Sequence, residues 1–411
     1  MVLKEKAIKH VNVDIVVIGG GMVGLTLALS LGSAGLSVNL IDPSKPSWPK
    51  KKLEDGRTTA ISAGSQKIFE SLNVWGDIKP HAQAISEIRV SDARSSLFLH
   101  YHHADLGKQP LGHIVENKEI KTALLAKLAT SDSVSMSFGS YVEKLHRDEN
   151  HVIAMTSGGT KISATLAIAT DGRNSPTREG AKIAKWEKSY KQTAIVCTVR
   201  HEKDHKGIAQ EQFLASGPFA ILPMTENRSS IVWTERNDLA QHILSLGDLN
   251  FLQELELRFG DYLGSLGVVG PKFFYPLSVL HAATYVAPRL ALAGDAAHAI
   301  HPVAGQGFNI SLFDVAALAE LVVDSRRLGL DFGSALVLGQ YEKWRRFDNT
   351  LMLGVTDVLN SFFSNDHRTL RIMRDTGLFA VNKVIPVKKM SMLHAMGMLG
   401  RLPKLVRGER L

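Results

Sequence analysis

The chain has 411 residues, which is enough for two or three domains with a large core. Its hydrophobic content of 45% and charged content of 21% are typical of a globular protein. The formal net charge is +8, yet no dense basic patch with interleaved aromatic residues occurs, which argues against nucleic acid as a partner.

Residues 1–10 are mixed in charge and lack the apolar core of a signal peptide. No apolar run approaches the ~18–20 residues that a membrane-spanning helix needs. The single cysteine, Cys197, excludes an intramolecular disulfide, and its apolar surroundings predict a buried position in a strand. We therefore expect a chain that is soluble or lies on a membrane surface.

The first predicted unit is a strand, a glycine turn and a helix. Residues 11–18 form a β-branched apolar run typical of a parallel strand buried on both faces. Gly19, Gly21 and Gly24 follow with GxGxxG spacing, where they allow a tight turn, close approach of a pyrophosphate and close helix packing. The helix predicted over 22–32 would direct its N-terminal N–H groups at the phosphates.

A second apolar run, 37–41, ends in Asp42, close to the ~20-residue offset of a ribose-binding carboxylate. Such an acid accepts hydrogen bonds from ribose hydroxyls and repels a 2′-phosphate. The resident ligand is therefore predicted to be FAD or NAD, and not NADP.

Two later segments favour FAD. A strand predicted over 161–170 leads into Asp171, although an ordinary Asp-Gly turn is an alternative for this acid alone. Residues 290–320 predict a buried strand, the pair Gly294-Asp295, a loop with Gly305-Gln306-Gly307 and a long apolar helix. A carboxylate after a remote strand is unnecessary in NAD dehydrogenases, but it suits the hydroxyl-bearing flavin half of FAD.

The segments GGGMVG, ATDGRNSPTR and LAGDAAHAIHPVAGQGFN resemble those of the FAD-dependent aromatic hydroxylases with the p-hydroxybenzoate hydroxylase fold. The chain looks most like the ubiquinone-biosynthesis hydroxylases within that group, and the resemblance runs from about Val11 to about Trp344. Further matching segments are GRTTAIS (56–62), IVEN (114–117), YKQTAIV (190–196), GPFAILP (217–223) and SIVW (230–233).

The resemblance implies an α/β protein with a discontinuous, Rossmann-like FAD-binding domain that comprises residues 1–180 and 285–345. The first range includes strands near 85–110, for which the substrate domain is the alternative assignment. Residues 181–284 would form a β-sheet substrate domain, and residues 346–411 a helical C-terminal region. In the substrate domain the pattern predicts strands at 192–200, 219–224, 229–235 and 272–277, and one helix over 239–259.

The resemblance also implies residue roles. Asp42 would bind the adenosine ribose, Asp171 would approach the middle of FAD, and Asp295 would hold the ribityl chain. Arg57 would lie near the flavin or the pyrophosphate, with a solvated surface arginine as the alternative. The start of the long helix would face the N1/C2=O edge of the flavin, where reduced flavin is anionic. The full predicted cofactor set is Gly19, Gly21, Gly24, Asp42, Arg57, Asn117, Asp171, Gly294, Asp295, Pro302, Gly305, Gln306, Gly307 and Asn309.

The substrate is less well defined by the sequence. Candidate pocket residues, each equally consistent with sheet core, are Phe219, Leu222, Pro223, Trp233 and Phe274. Two positions depart from the family pattern: Gln212 replaces a frequent basic residue, and Asn117 replaces a frequent arginine near the pyrophosphate. His298 and His301 have a short i, i+3 spacing, and no Glu or Asp nearby completes a metal-binding set, so we predict a structural or flavin-adjacent role and no metal.

In the family that the chain resembles, NAD(P)H reduces FAD and O₂ then gives a C4a-hydroperoxide that hydroxylates a phenol ring. The cofactor carries this chemistry, so no catalytic side chain is predicted. Only one dinucleotide unit is present, so NAD(P)H would bind transiently in a surface groove. The alternatives are a flavoprotein of the same fold with another aromatic or isoprenoid substrate, and a non-catalytic flavin-binding scaffold in a biosynthetic complex. The Trp-x-Trp-x-Ile-Pro motif of flavin halogenases is absent.

The C-terminal tail changes in composition from Lys383, with seven basic residues and one acid among Met, Leu and Val. Such a segment suits an anionic membrane surface, and a polyprenyl phenol substrate would reside there. The alternative is a terminal helix that packs on the body or on a partner in a ubiquinone-biosynthesis complex. We expect a protein of the bacterial cytoplasm, with peripheral attachment to the inner membrane as the alternative.

Overall fold

The computed structural model describes residues 9–45, 56–92, 98–301, 305–363 and 384–411, with the backbone alone for 359–363. A six-stranded sheet, the nucleotide sheet, has five parallel strands and one antiparallel edge strand. In spatial order these strands are β19 (Val286–Ala287), β20 (Leu290–Leu292), β13 (Leu166–Ala169), β2 (Ile15–Ile18), β3 (Val38–Asp42) and β9 (Val134–Phe138).

The strands predicted at 11–18 and 161–170 are each two strands, so both predictions were wrong about continuity. The first halves, β1 (Lys9–Asn12) and β12 (Thr160–Ala164), pair in a four-stranded sheet with β11 (Val152–Thr156) and β10 (Val142–Arg147). The breaks are adjacent, because the Thr165 N–H donates to the Asp14 carbonyl. Each break contains only one polar residue, Asp14 or Thr165, so hydrophobic periodicity alone does not reveal it.

An eight-stranded sheet, the large sheet, forms the second layer. Its strands in spatial order are β21 (His298–Ala299), β18 (Leu266–Ala282), β14 (Lys185–His201), β17 (Arg228–Arg236), β16 (Gly217–Met224), β15 (Ile208–Leu214), β6 (Glu87–Asp92) and β7 (Phe98–His102). Each strand predicted between 192 and 277 lies within one of these, and Cys197 is buried in β14 as predicted. Residues 87–92 and 98–102 thus contribute two strands to this sheet, while the domain boundaries remain a prediction.

A small sheet consists of β4 (Thr58–Ser62), β8 (Gly112–Glu116) and β5 (Gln83–Ile85), and its strands β5 and β8 contact β16 of the large sheet. The helices are α1 (Met22–Ser33), α2 (Ala63–Ser71), α3 (Trp75–Ile78), α4 (Asn117–Ala129), α5 (Pro176–Gly180), α6 (Asn237–Ser245), α7 (Asp248–Phe259), α8 (Gly307–Arg327), α9 (Ala335–Phe363), α10 (Ile385–Ala395) and α11 (Lys404–Arg407). The single helix predicted over 239–259 is wrong, because Leu246 and Gly247 are extended and separate α6 from α7.

The main apolar core joins the nucleotide sheet to α1, α4 and α8. A second core lies between the large sheet and the helices α6 and α7. In a third cluster, Met392 of α10 and Met396 pack against the small sheet and against Met224 of β16. Within the described residues, no helix has both the length and the apolar character needed to cross a membrane.

Candidate cofactor site

The predicted cofactor residues lie at the carboxyl ends of four neighbouring strands. Asp42 ends β3, Gly19 follows β2, Asp171 follows β13 and Asp295 follows β20. These strands are parallel and adjacent in the order β3, β2, β13, β20, so their carboxyl ends meet at one edge of the sheet. Ligands of open α/β sheets bind outside this edge. At ~4.8 Å per strand, the four positions extend over about 14 Å.

The glycine turn after β2 is shaped by close backbone contacts. Gly19 has a φ of +110°, and a Cβ there would lie 2.5 Å from the Thr170 carbonyl oxygen. A Cβ on Gly24 would lie 1.9 Å from the Gly19 carbonyl oxygen, so glycine is required where α1 approaches the turn. At Gly21, in contrast, a Cβ would meet no described atom within 4 Å. Gly21 therefore faces an open cleft, as expected for the position that a pyrophosphate approaches.

Two carboxylates border this cleft. One oxygen of Asp42 accepts the Gly20 N–H at 2.6 Å and the other accepts the Ser44 N–H at 2.8 Å, which fixes the side chain beside the glycine turn. Oδ2 of Asp171 accepts the Thr177 N–H at 3.1 Å. Its Oδ1 is buried and has no hydrogen-bond partner among the described residues. A buried acceptor without a donor is costly, so it indicates a missing hydrogen-bonding ligand.

Asp295 lies at the flavin-proximal end of the predicted site. Its side chain is accessible to water, yet it lies in a cleft where surrounding protein atoms desolvate it, and this desolvation raises its pKa. The charges of His298, Arg173 and Arg57 act in the opposite direction and lower the pKa. Gly294 has a φ of +62°, a left-handed conformation that favours glycine before this acid.

The loop before α8 contacts both the small sheet and the C-terminal region. Gly305 has a φ of +62°, and a Cβ there would lie 3.1 Å from the Ala60 Cβ. The Gln306 amide donates to the Ala395 carbonyl at 3.4 Å. Gly307 begins α8, and no side chain caps its first turn within the part of the chain that the structure describes. Pro302 lies outside the described residues.

Asn309 lies in the first turn of α8 and contacts the small sheet. Its side-chain oxygen accepts the Ser62 N–H at 3.0 Å, and its amide donates to the Ala60 carbonyl at 2.8 Å. Both polar atoms of the side chain are thus engaged by β4, and the contact of Asn309 with the cofactor stays a prediction. Its side chain holds the first turn of α8 against the small sheet.

Arg57 lies at the junction of the nucleotide unit and the large sheet. Its guanidinium lies 5.0 Å from the centre of the Tyr275 ring, a cation–π distance. The Asn117 N–H donates to the Arg57 carbonyl at 3.1 Å, and Asn117 Oδ1 accepts from the Thr59 hydroxyl at 2.6 Å. Asn117 is buried, so its described contacts support the backbone around Arg57.

The predicted substrate residues lie on two opposite faces of the large sheet. Phe219 and Trp233 are fully buried in the core beneath α6 and α7, which corrects their assignment to a pocket. Pro223 alternates onto the same face as Phe219. Phe274 shares that face by its register with Ile195, and its side chain is 60% exposed. Only Leu222 points to the other face.

The opposite face is directed at the nucleotide unit and carries residues that the sequence analysis missed. Phe273 and Tyr275 belong to it, because a Cβ on Gly56 would touch the Phe273 ring and Arg57 contacts Tyr275. By register, Val232 and Ala220 lie on the same face as Phe273. Strict alternation along the strand would have identified this face once one contact was known.

The two predicted histidines are buried. His298 Nε2 lies 2.5 Å from Asp314 Oδ2, and the His301 ring lies edge-on to Tyr190 at 4.8 Å. Burial lowers the pKa of His301 to about 4. No group of three or more His, Cys, Asp or Glu side chains within the described residues is arranged to hold a metal ion.

These features fit FAD better than NAD. The open cleft at Gly21 suits the diphosphate of either cofactor, and the unpartnered Asp171 oxygen accepts a donor from either, whereas the accessible Asp295 can accept from a polyol chain, which only FAD has. Residues 12–325, more than half of the chain, match the family described as FAD binding domain. The chain is also 46% identical to the ubiquinone hydroxylase UbiL of Rhodospirillum rubrum, over 96% of this chain and 92% of that protein.

The chain belongs to the family of FAD-dependent ubiquinone hydroxylases. Another relative in this family, the 3-demethoxyubiquinol 3-hydroxylase of Escherichia coli, is 34% identical over 94% of this chain and 98% of its own length. Among solved structures, the p-nitrophenol 4-monooxygenase PnpA of Pseudomonas putida superposes with a TM-score of 0.80, over 96% of this chain and 100% of that chain, at 20% identity. The predicted α/β class, with the p-hydroxybenzoate hydroxylase fold, is thereby confirmed, and so is FAD as the family's cofactor.

Proposed function

We propose that this FAD-dependent monooxygenase hydroxylates the aromatic ring of a polyprenylated phenol in ubiquinone biosynthesis, with NAD(P)H and O₂ as co-substrates. The main support is the 46% identity, over almost the full length of both chains, to a protein named as a ubiquinone hydroxylase. The strand-end acids and the open glycine turn add support, because they suit FAD independently of any relative.

In this proposal each strand end binds one part of the cofactor. Asp42 accepts from the adenosine ribose, and the backbone at Gly19, Gly21 and Gly24 approaches the pyrophosphate. Asp171 accepts near the middle of the molecule, and Asp295 accepts from the ribityl chain. The N–H groups at the start of α8 face the flavin edge that becomes anionic on reduction, where a helix N-terminus contributes ~0.3–1 kcal/mol. The bound flavin supplies the activated oxygen for hydroxylation.

The protein's part in the reaction is orientation and exclusion of water. We place the phenol ring against the face of the large sheet that carries Leu222, Val232, Phe273 and Tyr275. Arg57 contacts Tyr275 on this face and belongs to the predicted cofactor residues. In this placement it would lie beside both FAD and the phenol. No acid–base pair is assigned.

The test uses purified holoenzyme with a short-chain prenylated phenol. We expect bound FAD, NAD(P)H oxidation that accelerates with the phenol, and a product heavier by one oxygen atom in mass spectrometry. A protein that binds FAD but shows no phenol-stimulated oxidation would favour another substrate or the scaffold alternative. A strain that lacks the protein should accumulate the unhydroxylated intermediate, whose structure identifies the ring position.

We also propose that the C-terminal region attaches the enzyme to the cytoplasmic surface of the inner membrane. One side of α10 packs on the body through Met392, whereas Val387 and Met390, which lie three residues apart on another side of the helix, are 43% and 60% exposed. An apolar face with adjacent basic residues suits an anionic surface. In vesicle flotation, the double variant Val387→Ser/Met390→Ser should bind anionic lipid more weakly than the wild type. Equal flotation of both would favour a protein partner.

A further inference from the structure

Asp314 lies in the middle of α8 and is a buried acid in an otherwise apolar stretch of helix. Its side chain is fully buried, and it accepts four hydrogen bonds. Oδ2 accepts the Gly294 N–H at 3.2 Å and lies 2.5 Å from His298 Nε2. Oδ1 accepts from Arg345 Nε at 2.9 Å and from Asn349 Nδ2 at 3.0 Å. A carboxylate has about four acceptor sites, so all of them are used.

The two oxygens bind two different parts of the chain. Oδ2 holds the segment from Gly294 to His298, which contains Asp295, and Oδ1 holds two residues of α9. Arg345 and Asn349 are themselves almost fully buried, and they lie beyond residue 325, where the match to the FAD-binding family ends. Asp314 therefore links the segment from Gly294 to His298, the cofactor loop, to a helix outside the matched region.

The charge balance shows that this link is a strong one. Burial opposes ionisation of Asp314, but His298, Arg345 and Asn349 outweigh that effect and lower its pKa to about 2. Arg345 is also held by Asp348 at 2.9 Å and by the Asn349 side-chain oxygen at 2.9 Å. A buried carboxylate with all its acceptor sites occupied has one preferred orientation, and removal of its partners is strongly destabilising.

We propose that Asp314 is a positioning residue for the flavin half of FAD, and that α9 supports this grip through Arg345 and Asn349. The Asp314 carboxylate fixes the left-handed Gly294 through its N–H, and Gly294 in turn directs Asp295 into the cleft. The effect is confined to the ribityl end, because the adenosine end is formed by Asp42 and the glycine turn on other strands. The inference depends on the cofactor part of the proposed function, and it is independent of the phenol substrate.

The test is displacement of FAD from the holoenzyme by excess ADP, followed by the fluorescence of released flavin. ADP occupies the adenosine end alone, so the ADP concentration that displaces half of the FAD reports the ratio of the two affinities. In Asp314→Asn, one oxygen becomes a donor and two of the four bonds are lost, so we expect FAD to weaken at least about tenfold while ADP is unchanged. The half-displacing ADP concentration should fall by the same factor.

Asn349→Leu is a milder second variant, which removes one of the four hydrogen bonds to Asp314, together with the hydrogen bond from Arg345 to the Asn349 side-chain oxygen. We expect a fall of about threefold in the half-displacing ADP concentration, which remains measurable if Asp314→Asn does not fold. The matched control is Asp324→Asn, on the same helix, which breaks a surface ion pair with Lys404 at 2.7 Å and should leave the ratio unchanged. If either test variant weakens FAD and ADP in parallel, or alters neither, Asp314 is only structural and the proposal is overturned. Loss of phenol hydroxylation plays no part in this readout.

Discussion

Gly21→Ala separates cofactor binding from folding at the glycine turn. Gly21 has φ −70° and ψ 176°, which alanine adopts without strain, and the new Cβ meets no described atom within 4 Å. Alanine is a poorer N-cap by up to ~1 kcal/mol, but it restricts the unfolded chain by ~0.4–1 kcal/mol, so the two effects offset. Without FAD, the stability should therefore remain close to that of the wild type.

FAD binding should respond differently, because the methyl group occupies the space that the pyrophosphate approaches. Loss of one backbone hydrogen bond to a charged phosphate costs ~1.5–3 kcal/mol, which corresponds to about a 10- to 150-fold weaker dissociation constant at ~1.4 kcal/mol per tenfold. Flavin fluorescence titration measures the affinity, and thermal unfolding without added FAD measures the stability. Gly339→Ala, at an open position in α9, is the control and should change neither strongly.

Gly24→Ala provides the contrast. Its Cβ would lie 1.9 Å from a backbone oxygen, so both stability and FAD affinity should fall. Unchanged FAD affinity in Gly21→Ala would refute the placement of the pyrophosphate at this turn. A loss of FAD-free stability as large as that of Gly24→Ala would show that the cleft is not open in solution.

Three further predictions concern two sites in the large sheet and one buried histidine in the small sheet. Phe273→Ala should raise KM for the phenol whereas Phe274→Ala should not; the reverse result in steady-state kinetics would mean that the pocket face is misassigned. Trp233→Ala should destabilise the protein by ~3–5 kcal/mol in denaturant unfolding and leave the FAD content of the folded fraction unchanged. Burial lowers the pKa of His113 from 6.5 to about 4, so its neutral form contributes stability above pH 6.5 that is lost as the pH falls towards 4. His113→Phe should reduce this acid sensitivity of the unfolding midpoint. An unchanged pH dependence would show that His113 is not the cause of the acid sensitivity.

The order of motifs along the chain was sufficient to predict that the glycine turn and the three acids follow strands whose ends meet at one edge of the nucleotide sheet. Glycine spacing and acids after apolar runs depend on local chemistry, and parallel strands bring such positions together. Strand breaks were not predictable, because Val13 and Asp14 interrupt a run that is apolar on both sides. The separation of α6 from α7 at Gly247 was missed because one glycine is tolerated within many helices.

The substrate face could not be chosen from the sequence for a related reason. Phe273 and Phe274 are adjacent, and a shift of one residue exchanges the two faces of a strand. Long-range contacts distinguish them: Phe273 lies against Gly56, and the neighbouring Tyr275 lies against Arg57, both more than two hundred residues away. The role of Asp314 also depends on long-range contacts, although a single acid in the apolar run ISLFDVAALA was a visible signal.

The short strand β21 gives the cofactor loop a second attachment. The loop leaves the nucleotide sheet at β20, and three residues after Asp295 it becomes the edge strand of the large sheet, where Leu280 pairs with Ala299. Only two residues separate Asp295 from β20 of the nucleotide sheet, and only two separate it from β21 of the large sheet. If the phenol occupies the proposed face of the large sheet, a bulky substrate that displaces this sheet would also displace the segment that carries Asp295, so we expect substrate size to affect FAD retention.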